Sequence, residues 1–370
     1  MLAALGAPSR YVQGRDASAA LGVELTGLGI AGPILIVAGR TPRRLLAETW
    51  AASLAAAGIA FTIHDFGGEC SLAEIGRIVE SARAAGARAI VGAGGGKALD
   101  AARGAAERLT LPVVCCPTIA STDSPCSALA VIYSEDGVVQ GSELFRRNPD
   151  LVLVDTTIVS RAPARYLVAG MGDALATWFE ARTCALSHAQ NLRRGASTRT
   201  ALAIAELCYR TLREDGLAAK RAVEAQAITP ALERVVEANV LLSGIGFESS
   251  GLAAAHAIHN GFTAVPQTHG YEHGEKVSFG TLVQLVLEGT PQAEVDEVLD
   301  FATSVGLPVT LAGIGCGSLT EEELMIVARR ATREDDTMRN EPFPVSPEML
   351  IDAIRAADAI GRARLAEAGR

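Results

Sequence analysis

The sequence predicts an α/β N-terminal domain with a doubly wound, mostly parallel sheet, followed by an all-α C-terminal domain. Three observations carry this. Short apolar runs alternate with helical stretches up to Asp155, as buried parallel strands and their crossover helices do. A glycine-rich turn follows the third run at a strand-to-helix junction. Beyond Asp155 strand patterns nearly vanish and helical periods take over. At 370 residues the chain exceeds the usual size of one core. The change of class near 156–164 places the expected division at 1–160 and 161–370.

The first expected strand, 33–39, is continuously apolar and bounded by turn residues. Thr41-Pro42 then opens a helix through 57, with a possible N-cap and proline at the first helical position. A second strand covers 59–65. The helix over 71–85 sets Leu72, Ile75, Ile78 and Val79 on one side. Strands at 89–91 and 111–116 follow, then a strand at 128–133, a hairpin turn around Asp136-Gly137 and a last strand at 151–155. Helices are expected over 165–186, 194–212, 219–242, 252–259, 275–288, 294–305, 321–330 and 347–366.

Two loops in the first half carry chemistry. Strand 89–91 runs into Gly92-Ala93-Gly94-Gly95-Gly96-Lys97, where glycines let backbone N–H groups approach an anion at the positive end of a helix. The spacing is neither a Walker loop nor the usual dinucleotide fingerprint, and a tight turn without a ligand is the alternative. The second loop, 117–127, follows a strand and holds Thr118, Ser121, Asp123 and Ser127. Ligands bind at such carboxyl ends in open α/β sheets; helix capping by Ser121 or Asp123 is the other reading.

In the second half the histidines concentrate. Four of the six (His256, His259, His269, His273) fall between Gly251 and Gly280, and imidazole is the commonest neutral ligand for zinc and related metals. His256 and His259, three apart on a helix, share a face. Breaks at Pro266 and Gly270 let the chain fold back and bring His273 towards His256. Single histidines more often satisfy core hydrogen bonds; the cluster favours a metal. Asp173 sits among Leu167, Val168 and Leu175, and a buried acid needs a partner. The Thr177 hydroxyl or an arginine would serve, as would a metal. Asp173, His256 and His273 together give two nitrogens and an oxygen, with a coordination position left for water or substrate.

Composition narrows the partners. A net charge of −9 leaves no basic excess to neutralise phosphates, so no nucleic acid is expected. No run reaches the roughly 18 apolar residues of a membrane span, and 1–14 lacks a signal-type pattern. Seven scattered cysteines form no C-x-x-C pair and read as reduced thiols. The expected location is the cytoplasm.

Several motifs occur in order along the chain: Gly94-Gly95-Gly96-Lys97-Ala98-Leu99-Asp100, Pro117-Thr118-Ile119-Ala120-Ser121-Thr122-Asp123, Pro149-Asp150-Leu151-Val152-Leu153-Val154-Asp155, Gly172-Asp173-Ala174, His256-Ala257-Ile258-His259-Asn260 and His273-Gly274-Glu275-Lys276. In these the sequence resembles the glycerol dehydrogenases, zinc-dependent members of the iron-containing alcohol dehydrogenase superfamily. The resemblance implies the dehydroquinate synthase-like fold, with an N-terminal dinucleotide-binding domain, a helical metal- and substrate-binding domain, a metal in the cleft between the two, and a homo-oligomer. It implies Zn2+ on Asp173, His256 and His273, and NAD contacts from Gly94, Gly95, Gly96, Lys97, Thr118, Ser121, Ser127, Leu129 and Tyr133. Asp123 matches a carboxylate that contacts the polyol. His259 matches no metal ligand and is assigned a supporting or substrate-side role. Where iron-type relatives carry a histidine one turn after the metal-binding aspartate, this chain has Thr177, which favours zinc. Gly39-Arg40 stands where NAD-using relatives carry an acid, which opens the site to NADP. The expected activity is reversible hydride transfer between NAD(P) and glycerol or a related vicinal diol. The rivals are a hydroxycarboxylate, 2-oxoacid or glycerol-phosphate reductase, a dehydroquinate-synthase-like cyclase, and a binding protein without turnover.

Overall fold

The computed structural model describes residues 2–368, which form two compact units. One unit holds Gly6–Pro163 together with Ala222–Gly244; the other holds the residues up to Leu5, Ala164–Arg221 and the chain from Ile245 on.

The first unit is built on a six-stranded sheet of β1 (Tyr11–Gly14), β2 (Ile34–Ala38), β3 (Phe61–Asp65), β4 (Ala89–Gly94), β5 (Val113–Pro117) and β8 (Leu151–Asp155), in the order β1-β8-β5-β4-β2-β3. Every neighbouring pair is parallel. Helices α1 (Leu21–Gly27), α2 (Arg40–Ala56), α3 (Leu72–Ala84) and α4 (Gly96–Leu109) cover it on both faces. The alternation of side chains along β2 shows why. Ile34 and Ile36 pack with Leu46, Trp50 and Leu54 of α2, while Leu35 and Val37 pack with Ile75 and Ile78 of α3. A sheet buried on both sides requires the continuous apolar runs seen in β2, β4, β5 and β8.

Strand β1 is absent from the sequence reading. It is a four-residue edge strand, half-buried throughout, so it lacks the apolar run that marks its neighbours. β6 (Leu129–Tyr133) and β7 (Val139–Leu144) form a separate antiparallel hairpin; β7 is mostly exposed and carries no buried pattern.

After α5 (Thr156–Ser160) the chain is helical: α6 (Ala164–Leu186), α7 (Arg199–Glu224), α8 (Pro230–Glu237), α9 (Ser243–Ser250), α10 (Ala254–Phe262), α11 (His273–Leu287), α12 (Gln292–Val305), α13 (Glu321–Ala331) and α14 (Pro347–Ala368). The helix expected over 219–242 is not one element. Its first residues finish α7, and Thr229 then starts α8 by accepting the Leu232 N–H, with Pro230 at the first helical position. That Thr-Pro pair is a legible start signal. Between α8 and α9 the chain makes a π-helical turn, Ala238–Leu242. None of the helices among the described residues is long and apolar enough to cross a membrane.

Candidate metal centre and dinucleotide turn

Within the helical unit α6, α10 and α11 bring Asp173, His256 and His273 to one point. Glycines allow it. A Cβ on Gly172 would stand 2.3 Å from the Gly274 carbonyl oxygen, and one on Gly274 would stand 1.8 Å from the Ala169 carbonyl oxygen. Here α6 and α11 touch backbone to backbone, and each glycine adjoins a candidate ligand. Asp173 Oδ1 consequently lies 3.0 Å from His273 Nε2 and 3.4 Å from His256 Nε2. One donor atom from each residue falls within 4.8 Å of the others.

Asp173 is fully buried. Burial pushes its carboxyl up, but the His273 and His256 imidazoles outweigh this and hold it well below the usual carboxylate range. Burial likewise opposes charge on His256, yet Glu180 and Asp173 hold its basicity well above the ordinary value. His256 Nδ1 donates to Glu180 Oε2 over 2.6 Å, which turns Nε2 towards Asp173. His273 Nδ1 meets His259 Nε2 at 3.0 Å, so its Nε2 also faces the aspartate. Two imidazole nitrogens and one carboxylate oxygen aimed at one point fit zinc or another first-row divalent ion.

His259 is buried against the His273 ring, with 4.1 Å between ring centroids. Burial, reinforced by His273 and Lys276, pushes its basicity well below the ordinary value, so it accepts from His273 as a neutral ring. Its Nδ1 faces Asn260 Oδ1 at 3.3 Å, and Asn260 in turn donates to Asp336. His269 is exposed and touches the Thr263 carbonyl instead. The Thr177 methyl packs close to Gly246.

In the sheet unit, Gly95 is the N-cap of α4 and supplies no side-chain cap, leaving the first-turn amides suited to an anion. Lys97 Nζ pairs with Glu69 at 2.7 Å and lies 4.6 Å from the centre of the Tyr133 ring. Asp100 and Arg103, both buried on α4, pair with each other. Asp100 accepts the Val131 N–H at 2.8 Å and the Ser124 hydroxyl at 2.9 Å, while Arg103 donates to the carbonyl of Ser127 at 2.7 Å. This pair, unremarked in the sequence reading, ties α4 to the loop after β5 and to β6. Thr118 N–H bonds the Gly94 carbonyl; Ser121 and Ser127 are buried, while Leu129 is half-buried on β6. Asp123 is buried and accepts from Ser243 Oγ at 2.8 Å. Asn239, in the π-helical turn, donates to the Ala120 carbonyl at 3.0 Å. At the ends of β2 and β3 a cleft of about 920 Å³ is lined by Gly39, Arg40, Arg43, Arg44, Asp65 and Gly67.

Known proteins resemble this chain along almost its whole length. The profile of the iron-containing alcohol dehydrogenase family matches residues 8–156. Glycerol dehydrogenase of Thermotoga maritima is 49% identical over 360 residues, covering 96% of this chain and 97% of its own. Glycolaldehyde reductase of Halobacterium salinarum is 46% identical over 362 residues, 98% of this chain and 99% of its own. Among solved structures, glycerol dehydrogenase from Schizosaccharomyces pombe superposes with a TM-score of 0.95 at 37% identity, covering 99% of this chain and 93% of that one.

Proposed function

Because the chain belongs to the iron-containing alcohol dehydrogenase family, alongside the glycerol dehydrogenases, we infer that it is a polyol oxidoreductase. It transfers hydride reversibly between a vicinal diol such as glycerol and a nicotinamide dinucleotide. The observation that carries the reading is the convergence of Asp173, His256 and His273.

These three side chains would hold the ion, for which zinc is the better fit because Thr177, one turn after Asp173 on α6, is not a histidine. Bound there, such an ion supplies Lewis-acid polarisation of the reacting hydroxyl. Glu180 and His259 each hold one imidazole so that Nε2 faces Asp173 and the point where the ion would sit, which fixes orientation before substrate arrives. Asp123, held by Ser243, accepts from a neighbouring hydroxyl and so selects vicinal diols and their hydroxyketones. The Gly94-Gly95-Gly96 turn and the start of α4 receive the pyrophosphate, with Thr118 and Ser121 in the adjoining loop and Ser127, Leu129, Tyr133 and Lys97 beside them. A dinucleotide held by these residues would supply the acceptor for the hydride of the carbinol carbon.

The dinucleotide choice follows from the cleft beside α2. Arg40, Arg43 and Arg44 line it, and glycine stands at its strand end. Arg43 is paired with Asp65, while Arg40 and Arg44, with no acid at position 39, leave room for a ribose 2′-phosphate, so NADP is accepted beside NAD. The relative from Halobacterium makes short hydroxyaldehydes the second substrate class to try. The test is to strip the protein with a chelator, restore zinc, and follow reduced dinucleotide with glycerol, other diols and glycolaldehyde under NAD and NADP. Activity should vanish on chelation and return with zinc, and His256→Ala should stay inactive while still binding dinucleotide. Full turnover in the stripped protein would refute the reading.

A further inference from the structure

Glu180 lies on α6 seven residues, two helical turns, beyond Asp173, so both side chains leave the same face of that helix. It is fully buried. Three donors converge on its carboxylate. Oε1 accepts the backbone N–H of Ala253 at 2.8 Å and of His256 at 3.0 Å; Oε2 accepts the His256 ring Nδ1–H at 2.6 Å. Glu341 and Gln284 receive the two intervening amides, of Ala254 at 3.0 Å and Ala255 at 2.9 Å. The amides that a helix start leaves unpaired are thus received by three distant side chains, and of these Glu180 holds the ring as well.

We propose that Glu180 is a positioning residue of the metal centre: one carboxylate sets both the tautomer of His256 and the seat of the helix that carries it. The inference rests on reading Asp173, His256 and His273 as ligands. Only a carboxylate meets the demand, because both of its oxygens accept. Glutamine offers one acceptor and one amino group. Turned one way, its amino group faces two backbone N–H groups. Turned the other, it faces the ring and drives the imidazole proton onto Nε2, where the ion would bind.

The test measures Zn2+ and Co2+ affinity by competition with a chromophoric chelator, alongside circular dichroism and the Co2+ visible spectrum. Glu180→Gln should keep the wild-type fold, lose about 10–100-fold in metal affinity and alter the Co2+ bands. Glu341→Ala takes an acceptor from the same helix end but none from the ring. It should lower Tm and leave metal affinity within about twofold of wild type. Wild-type affinity in Glu180→Gln, or an equal loss in Glu341→Ala, overturns the proposal. Should the glutamine variant not fold, Glu180→Asp keeps both acceptors but draws them back by one methylene, and wild-type affinity there overturns it equally. A wild-type protein that binds these ions no better than His256→Ala would instead refute the ligand assignment itself.

Discussion

Gly39 shows how much one missing side chain decides. Its backbone is extended, and a Cβ there would have only Pro42 Cδ, at 3.9 Å, within 4 Å, so a larger residue fits without strain. Gly39→Asp would face Arg40 and Arg43 from the strand end. It should cut kcat/KM with NADP at least about tenfold, roughly 1.4 kcal/mol, and leave NAD turnover equal or better. Steady-state kinetics with both dinucleotides checks this, and unchanged NADP use would remove Gly39 from the argument. At this scale the metal trio was the legible part, because histidine is scarce here and clustered. Glu180 was not. A glutamate in a helix usually faces water, and only the heptad spacing from Asp173 within an apolar stretch hinted otherwise. Arg103 was hidden for the same reason: arginine on a helix reads as surface until its partners are seen.

At the level of elements, the three ligand-bearing helices owe their spacing to residues with no chemistry. Gly172 and Gly274 join α6 to α11, and Gly280 sits against the Ala255 carbonyl of α10 in the same way. Gly274→Ala cannot be absorbed by a flexible side chain, since its new methyl would meet backbone. It should destabilise by about 3 kcal/mol, seen as a Tm lower by roughly 4 °C, and weaken metal binding as the helices part. The π-helical turn Ala238–Leu242 does comparable work in the sheet unit, where Asn239 and Ser243 pin the loop that carries Ser121 and Asp123. Asn239→Ala should cost about 1–3 kcal/mol and raise KM for dinucleotide more than it lowers kcat. The sequence could not announce this turn, because a single π turn is too short to show a period of its own.

For the whole molecule, the alternation of strand and helix made the fold class legible, and both layers over the sheet followed from β2 alone. The edge strand β1 and the split at Thr229-Pro230 escaped, one for lack of an apolar run and the other because helical periods continue across it. Stability carries a pH signature from a buried acid. Burial, then the neighbouring Glu288 carboxylate, pushes Glu341 up to about 9 from an ordinary 4.5, with Glu180 adding to the effect and the Ala254 N–H opposing it. Between those values the folded chain holds a proton that the unfolded chain releases. The contribution is therefore whole below 4.5 and is lost as pH climbs through 9. Glu341→Gln keeps the acceptor for Ala254 and stays neutral, so it should flatten the fall in Tm between pH 6 and 9 by about 5 °C. Equal slopes in the two proteins would show that Glu341 is ionised throughout.

Ala222–Gly244 belongs to the sheet unit yet is made after Ala164–Arg221, which belongs to the other. A ribosome therefore releases all eight strands before the segment that completes their unit exists. Until then the apolar positions that Leu232, Val235 and Val236 cover stay open on the nascent chain. Neither half can be cut out as an uninterrupted gene fragment, and folding cannot proceed as two finished parts in succession.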